Sequence, residues 1–179
     1  MFTFNWLDPY TMIYIGGLML ALSCTQIKDR REMMFVKFMS DYTNSAYTFM
    51  MGGLAGALGG LIAGTGGLVQ SLTPDRHLKK TLWPRIIDAC ILSVASIYFS
   101  YKNPIDILPM IAIIGCRFME LHHDAEKIRI AYFLAGGLWI TYFLVEHIPM
   151  MAFTSGLMSA MLLLGIIRHR AKREIVDPV

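Results

Sequence analysis

The chain has 179 residues, of which 55% are apolar and only 16% charged, with a formal net charge of +3. A mean hydropathy of +0.51 describes a chain whose solvent is mostly lipid and leaves little room for a soluble domain. The sixteen basic residues lie in short clusters between apolar stretches instead of covering one face, which argues against a nucleic-acid surface and for orientation signals in a bilayer.

About 20 helical residues cross a hydrocarbon core of about 30 Å. Seven stretches meet that length: 10–27, 33–51, 52–72, 84–101, 104–121, 128–146 and 148–167. Residues 1–10 hold no basic n-region and no small-x-small cleavage site, so the first stretch is expected to remain as a helix. The cysteines Cys24, Cys90 and Cys116 are scattered through apolar segments without a CxxC or metal spacing and read as free, packed thiols.

The second stretch is the most informative. Lys37, Asp41, Asn44, Ser45 and Thr48 fall at i, i+4, i+7, i+8 and i+11, one face of a helix, with Asp41 near the bilayer midplane. A carboxylate there costs several kcal/mol unless it is paired, protonated or beside water, so this face cannot point at lipid. Two readings stand: a structural pair between Lys37 and Asp41, or the lining of a central aqueous cavity for a polar solute. The third stretch follows a two-residue break at Gly52-Gly53 and carries two glycine-alanine rows. Gly52, Gly56, Gly60 and Gly64 form one, Ala55, Gly59, Ala63 and Gly67 the other, as close helix packing requires.

Thr73-Pro74-Asp75 and Lys102-Asn103-Pro104 bound the fourth stretch. In the fifth, Arg117 and Glu120 are spaced i, i+3, fit for a local ion pair or for a gate that breaks and reforms one. His122-His123 with Asp124 and Glu126 reads as a solvated loop, because adjacent histidines project in different directions from a helix; no metal site is expected. The sixth stretch presents Tyr132, Gly136, Trp139, Ile140 and Phe143 on one face, either packing aromatics or the aromatic wall of the same cavity. The seventh ends in a basic tail, 168–179.

Charge orients the whole. If the stretches alternate, one side holds Lys28, Arg30, Arg31, Arg76, Lys79, Lys80, Lys127, Arg168, Arg170, Lys172 and Arg173, and the other only Lys102. The positive-inside rule then places the N-terminus outside and the C-terminus in the cytoplasm. A shift of 95 residues brings Phe38 onto Phe133, Tyr47 onto Tyr142 and Ala57 onto Ala152, and aligns the break at Gly52-Gly53 with His147-Ile148. The expected fold is an all-α membrane protein of two parallel three-helix bundles, 10–72 and 104–167, joined by a linker helix, 84–101: a 3+1+3 arrangement.

The segment Ser23 to Arg31, with Gln26 before a short basic loop, resembles the end of the first helix in the PQ-loop, SemiSWEET and SWEET superfamily. The closer resemblance is to the YgjV-type bacterial inner-membrane proteins. It is carried by that segment, the Gly-rich third stretch, Trp83-Pro84 and the stretch Trp139 to Tyr142. Thr25 stands where the superfamily's Pro-Gln pair has proline, and among the first helices of the two bundles only the fifth stretch has an internal proline, Pro109, of the kind thought to act as a hinge in the sugar-transporting relatives. The resemblance implies a transporter or a transporter-derived protein in the inner membrane.

The chain has no Gly-rich phosphate loop, nucleophile elbow or HExxH, so no enzyme activity and no cofactor are expected. The expected function is transport of a small polar or amphiphilic solute. Its site would be the cavity lined by Asp41, Asn44, Ser45, Thr48, Tyr132 and Trp139, with Lys37, Arg117 and Glu120 as charge pairs or gate. A non-transporting scaffold or partner subunit is the alternative. The expected partners are the bilayer and the solute, with no nucleic acid, and self-association into a homo-oligomer is compatible with this composition.

Overall fold

The computed structural model describes residues 8–24, 27, 29–77, 80–119 and 125–176. It is all-α, with seven helices: α1 Pro9–Cys24, α2 Arg30–Met50, α3 Leu54–Leu72, α4 Leu82–Ser100, α5 Leu108–Met119, α6 Ala125–Val145 and α7 Pro149–Val176. Local chemistry explains the boundaries. The Asp29 carboxylate accepts the Glu32 N–H at 2.9 Å and caps α2, with Glu32 placed to complement the helix dipole.

At its other end α2 closes in a Schellman turn. The Gly53 N–H donates to the Thr48 carbonyl and the Gly52 N–H to the Phe49 carbonyl, with Gly52 at φ +90°. The turn between α6 and α7 repeats this bond for bond 95 residues later: Ile148 N–H to Phe143, His147 N–H to Leu144, and His147 at φ +57°. The two turns thus match in their backbone hydrogen bonds. Gly52 is the left-handed residue of a turn, so the first glycine row proper begins inside α3.

Two boundaries correct the sequence reading. The fifth stretch is a 3-10 turn, Pro104–Ile107, followed by α5 from Leu108. The Asp106 carboxylate fixes the turn by accepting the Lys102 and Asn103 N–H groups at 2.8 and 2.9 Å. Pro109 is therefore the second residue of α5, where its missing N–H breaks no intrahelical bond, and not a mid-helix hinge. The basic segment taken as a tail from 168 continues α7 to Val176, making a helix about 42 Å long.

The chain is inverted relative to a soluble domain. On α4, Ser93, Ser96 and Ser100 are buried with Ile86 and Ala89, while Ile87, Ile91, Val94, Tyr98 and Phe99 are exposed. Helices α3 and α4 are long and apolar enough to cross a membrane; the apolar runs of α1, α6 and α7 are shorter. Neighbour packing closes a ring, α1 to α2, α2 to α3, α3 to α5, α5 to α6, α6 to α7 and α7 back to α1, with α4 outside it against α3 and α5. In that ring α2 and α6 stand opposite each other.

The glycine rows set the spacing. A Cβ on Gly60 would lie 2.2 Å from Ser45 Oγ, and one on Gly64 2.7 Å from the Tyr42 ring, so α3 rests on α2 through bare backbone. Gly59, from the second row, faces Trp139, Ile113 and Pro109. The seam between α6 and α7 works in the same way, with Gly136 against Ser159. Under the 95-residue shift that pair corresponds to Asp41 and Gly64, with the glycine moved to the other helix.

Candidate solute cavity

One cavity of about 260 Å³ occupies the centre of the ring and is lined by all six of its helices. Its α2 wall carries the polar face. The Lys37 ammonium donates to Asp41 Oδ2 at 2.5 Å, and the two side chains keep 31% and 20% of their surface accessible. Asp41 lies about 16 Å from the start of a helix about 31 Å long, so the pair sits near the middle of the molecule. Above it the hydroxyls bond back along their own helix, Ser45 Oγ to the Asp41 carbonyl at 2.6 Å and Thr48 Oγ1 to the Asn44 carbonyl at 2.8 Å. That satisfies the donor of each hydroxyl within its own helix.

Asn44 lines the cavity but turns its amide toward α1. Nδ2 donates to Ser40 Oγ, Ser40 Oγ donates to the Gly17 carbonyl, and Oδ1, where a Cβ on Gly17 would stand, is buried with no partner among the described residues. Only glycine at 17 leaves room for it.

The opposite wall is aromatic. Trp139 stacks on Phe143 with centroids 5.4 Å apart and planes at 24°, and meets Tyr142 edge-on. Tyr142 is fully buried, and its Oη accepts the Gly56 N–H at 2.8 Å. Gly56 is the third residue of α3, so this phenol satisfies one of the donors that a helix start leaves without an intrahelical partner. With Tyr14, Tyr47, Ile148 and Met151 it belongs to one buried apolar cluster, which takes in Ile148 of the second short turn. Toward the other end Arg117 is buried and sends Nη2 to the Ala63 carbonyl at 3.0 Å, tying α5 to α3.

The sequence profile of the Imp-YgjV family, described as a bacterial inner membrane protein, matches residues 11–173. The chain belongs to this family. No curated protein and no solved structure matches it. As a member of Imp-YgjV it is an inner membrane protein, which accounts for the exposed apolar face of α4 as a face toward lipid.

In this Imp-YgjV chain the residues singled out from sequence converge. Lys37, Asp41, Asn44, Ser45, Thr48, Arg117, Tyr132 and Trp139 all line the one cavity; Glu120 and the His122-His123 pair lie outside the described residues. Ile140, placed on the α6 face by spacing, is not among the lining residues, and Ala135 takes its place because the face is rotated toward α5. The α7 wall, Thr154, Ser155, Met158, Ser159 and Leu162, escaped the sequence reading. Its signal was present as i, i+1, i+4, i+5 and i+8 spacing, but without a charge to mark it. Cys24 and Cys116 line the cavity as well, neither of them in a disulfide. Among the described residues no group of three or more His, Cys, Asp or Glu side chains is placed to hold a metal ion.

Proposed function

We propose that this Imp-YgjV protein is a membrane transporter that passes a small polar or amphiphilic solute through the central cavity, with no enzymatic step. The carrying observation is the cavity itself, in which a hydrogen-bonding α2 wall with an ion pair faces an aromatic α6 wall at the centre of a ring that is apolar outside. In this reading all seven helices cross the bilayer, the N-terminus lies outside and the C-terminus in the cytoplasm. α1–α3 and α5–α7 form two parallel units with α4 between them, as the SWEET-type 3+1+3 plan requires, and the matched turns at Gly52 and His147 support that repeat. The bilayer and the solute are its partners.

The test is an untargeted comparison of solutes taken up by membrane vesicles with and without the protein, repeated with Asp41→Asn. A solute enriched by the wild type and lost with Asp41→Asn supports transport. A second reading, a non-transporting scaffold or partner subunit, is favoured by the place of Pro109 in the first turn of α5, which leaves the helix without a proline hinge. Identical solute profiles with and without the protein would decide for it.

A further inference from the structure

Resting on the reading of the cavity as a solute site, we propose that its occupant is a zwitterion with an apolar body: a single free amino acid with an uncharged, preferably aromatic side chain. Lys37 and Asp41 form an ion pair that is neutral as a unit and only partly used. Among the described residues the Asp41 carboxylate takes one side-chain hydrogen bond, at Oδ2, although it has two oxygens; the Lys37 ammonium spends one of its three N–H groups on it. Both side chains line the cavity and keep accessible surface there. The α2 wall therefore offers, within one helical turn, an acceptor for a cation and a donor for an anion.

Arg117, also in the cavity lining, is buried and bonded to the Ala63 carbonyl of α3, so charge balance at the Lys37–Asp41 pair selects the solute class. A simple anion would bind Lys37 and leave Asp41 competing for its cation; a simple cation would do the reverse. Either adds an uncompensated charge to a site removed from bulk water, where such a charge is expensive. A neutral solute leaves the pair intact but gains none of its charge-assisted bonds. A zwitterion sets its ammonium against the free oxygen of Asp41 and its carboxylate against the spare N–H groups of Lys37, giving a neutral cluster of four charges in which each has opposite neighbours.

The facing wall fits the remainder of such a molecule. Trp139, which lines the cavity and stacks on Phe143, offers an apolar plane on the facing α6 wall. A volume of about 260 Å³ lies below the roughly 300–1,000 Å³ of sites for drug-sized ligands, which suits one amino acid.

The experiment measures binding to the purified full-length protein in detergent, by titration calorimetry and thermal stabilisation. Four probes share a phenyl body: L-phenylalanine, 3-phenylpropanoate, 2-phenylethylammonium and 3-phenylpropanamide. L-phenylalanine should bind about thirtyfold or more tightly than each of the other three, the order of discrimination expected when a charge at a desolvated site loses its partner. In the double variant Lys37→Met/Asp41→Asn the order should invert, with the amide bound more tightly than the amino acid. The ranking on the unmodified protein decides even if the double variant does not fold. A singly charged or neutral probe that binds as well as L-phenylalanine overturns the zwitterion class while leaving the solute cavity in place. Failure of all four to bind overturns the class alone if vesicles still enrich some other solute, and overturns the transport reading with it if they enrich none.

Discussion

Tyr142 reaches from α6 to the first turn of α3 and is held there by one hydrogen bond, to the Gly56 N–H. Tyr142→Phe keeps the ring seated beside Gly53 and Gly56 and strands that N–H, so stability in an SDS unfolding titration should fall by about 1–3 kcal/mol. The ion pair invites a different comparison. If Asp41 serves the solute, Asp41→Asn leaves the protein folded and abolishes uptake; if it only neutralises Lys37, the same change costs roughly 3–5 kcal/mol and adding Lys37→Met restores most of that stability. A double variant that is stable and fully active in uptake would remove the pair from the mechanism. The polar residues of α2 were legible because helical periodicity collects them on one face. The partner of Tyr142 lies 86 residues away, a separation that no local pattern reports. The α7 wall is built of Ser, Thr and Met, residues equally at home in a packed seam, and spacing alone could not tell lining from packing.

Element packing turns on which glycines meet a neighbour. Gly60→Ala sets a Cβ 2.2 Å from Ser45 Oγ and should cost about 1–3 kcal/mol. Removing that hydroxyl with Ser45→Ala should recover much of the loss, a coupling of about 0.5–3 kcal/mol in a double-mutant cycle. Gly137 and Gly156 have nothing within 4 Å of an added Cβ, so alanine there should be neutral or mildly stabilising in the same assay. The two turns differ usefully. Gly52→Ala should destabilise by about 1–2 kcal/mol, whereas His147→Gly should stabilise by roughly 0.5–1 kcal/mol, because a side chain at positive φ is strained and glycine is not. The turn at Gly52-Gly53 could be read from composition, since two glycines interrupt an apolar run too long for one crossing. That His147 adopts the same conformation could only be guessed from the repeat. Pro109 was misread because Pro104 and Asp106 build their own 3-10 turn first and shift the start of α5 beyond the apolar boundary.

For the whole molecule the quantity to measure is topology. On the proposed arrangement a tag fused after Val179 is cytoplasmic, and Lys102→Cys in an otherwise Cys-free protein reacts with an impermeant thiol reagent from outside; labelling from the cytoplasmic side only would refute it. Seven helices and a central polar face were legible because composition and period determine them. The order of the ring was not, since it depends on which apolar faces meet, and all of them look alike in sequence.

The short turns bear on how such a ring enters a bilayer at all. Three residues separate α2 from α3 and three separate α6 from α7. α2, with Lys37 and Asp41 at its middle, is not among the helices apolar enough to cross alone, while α3 is, and α3 lays its glycine row against α2. If all seven helices cross the bilayer as proposed, insertion of α2 by itself would expose a lysine and a carboxylate to lipid at several kcal/mol each. Insertion as a hairpin, with α3 already folded back over it, avoids that exposure. On that arrangement a bulky residue at Gly60 should be seen first as chains left outside the membrane and degraded.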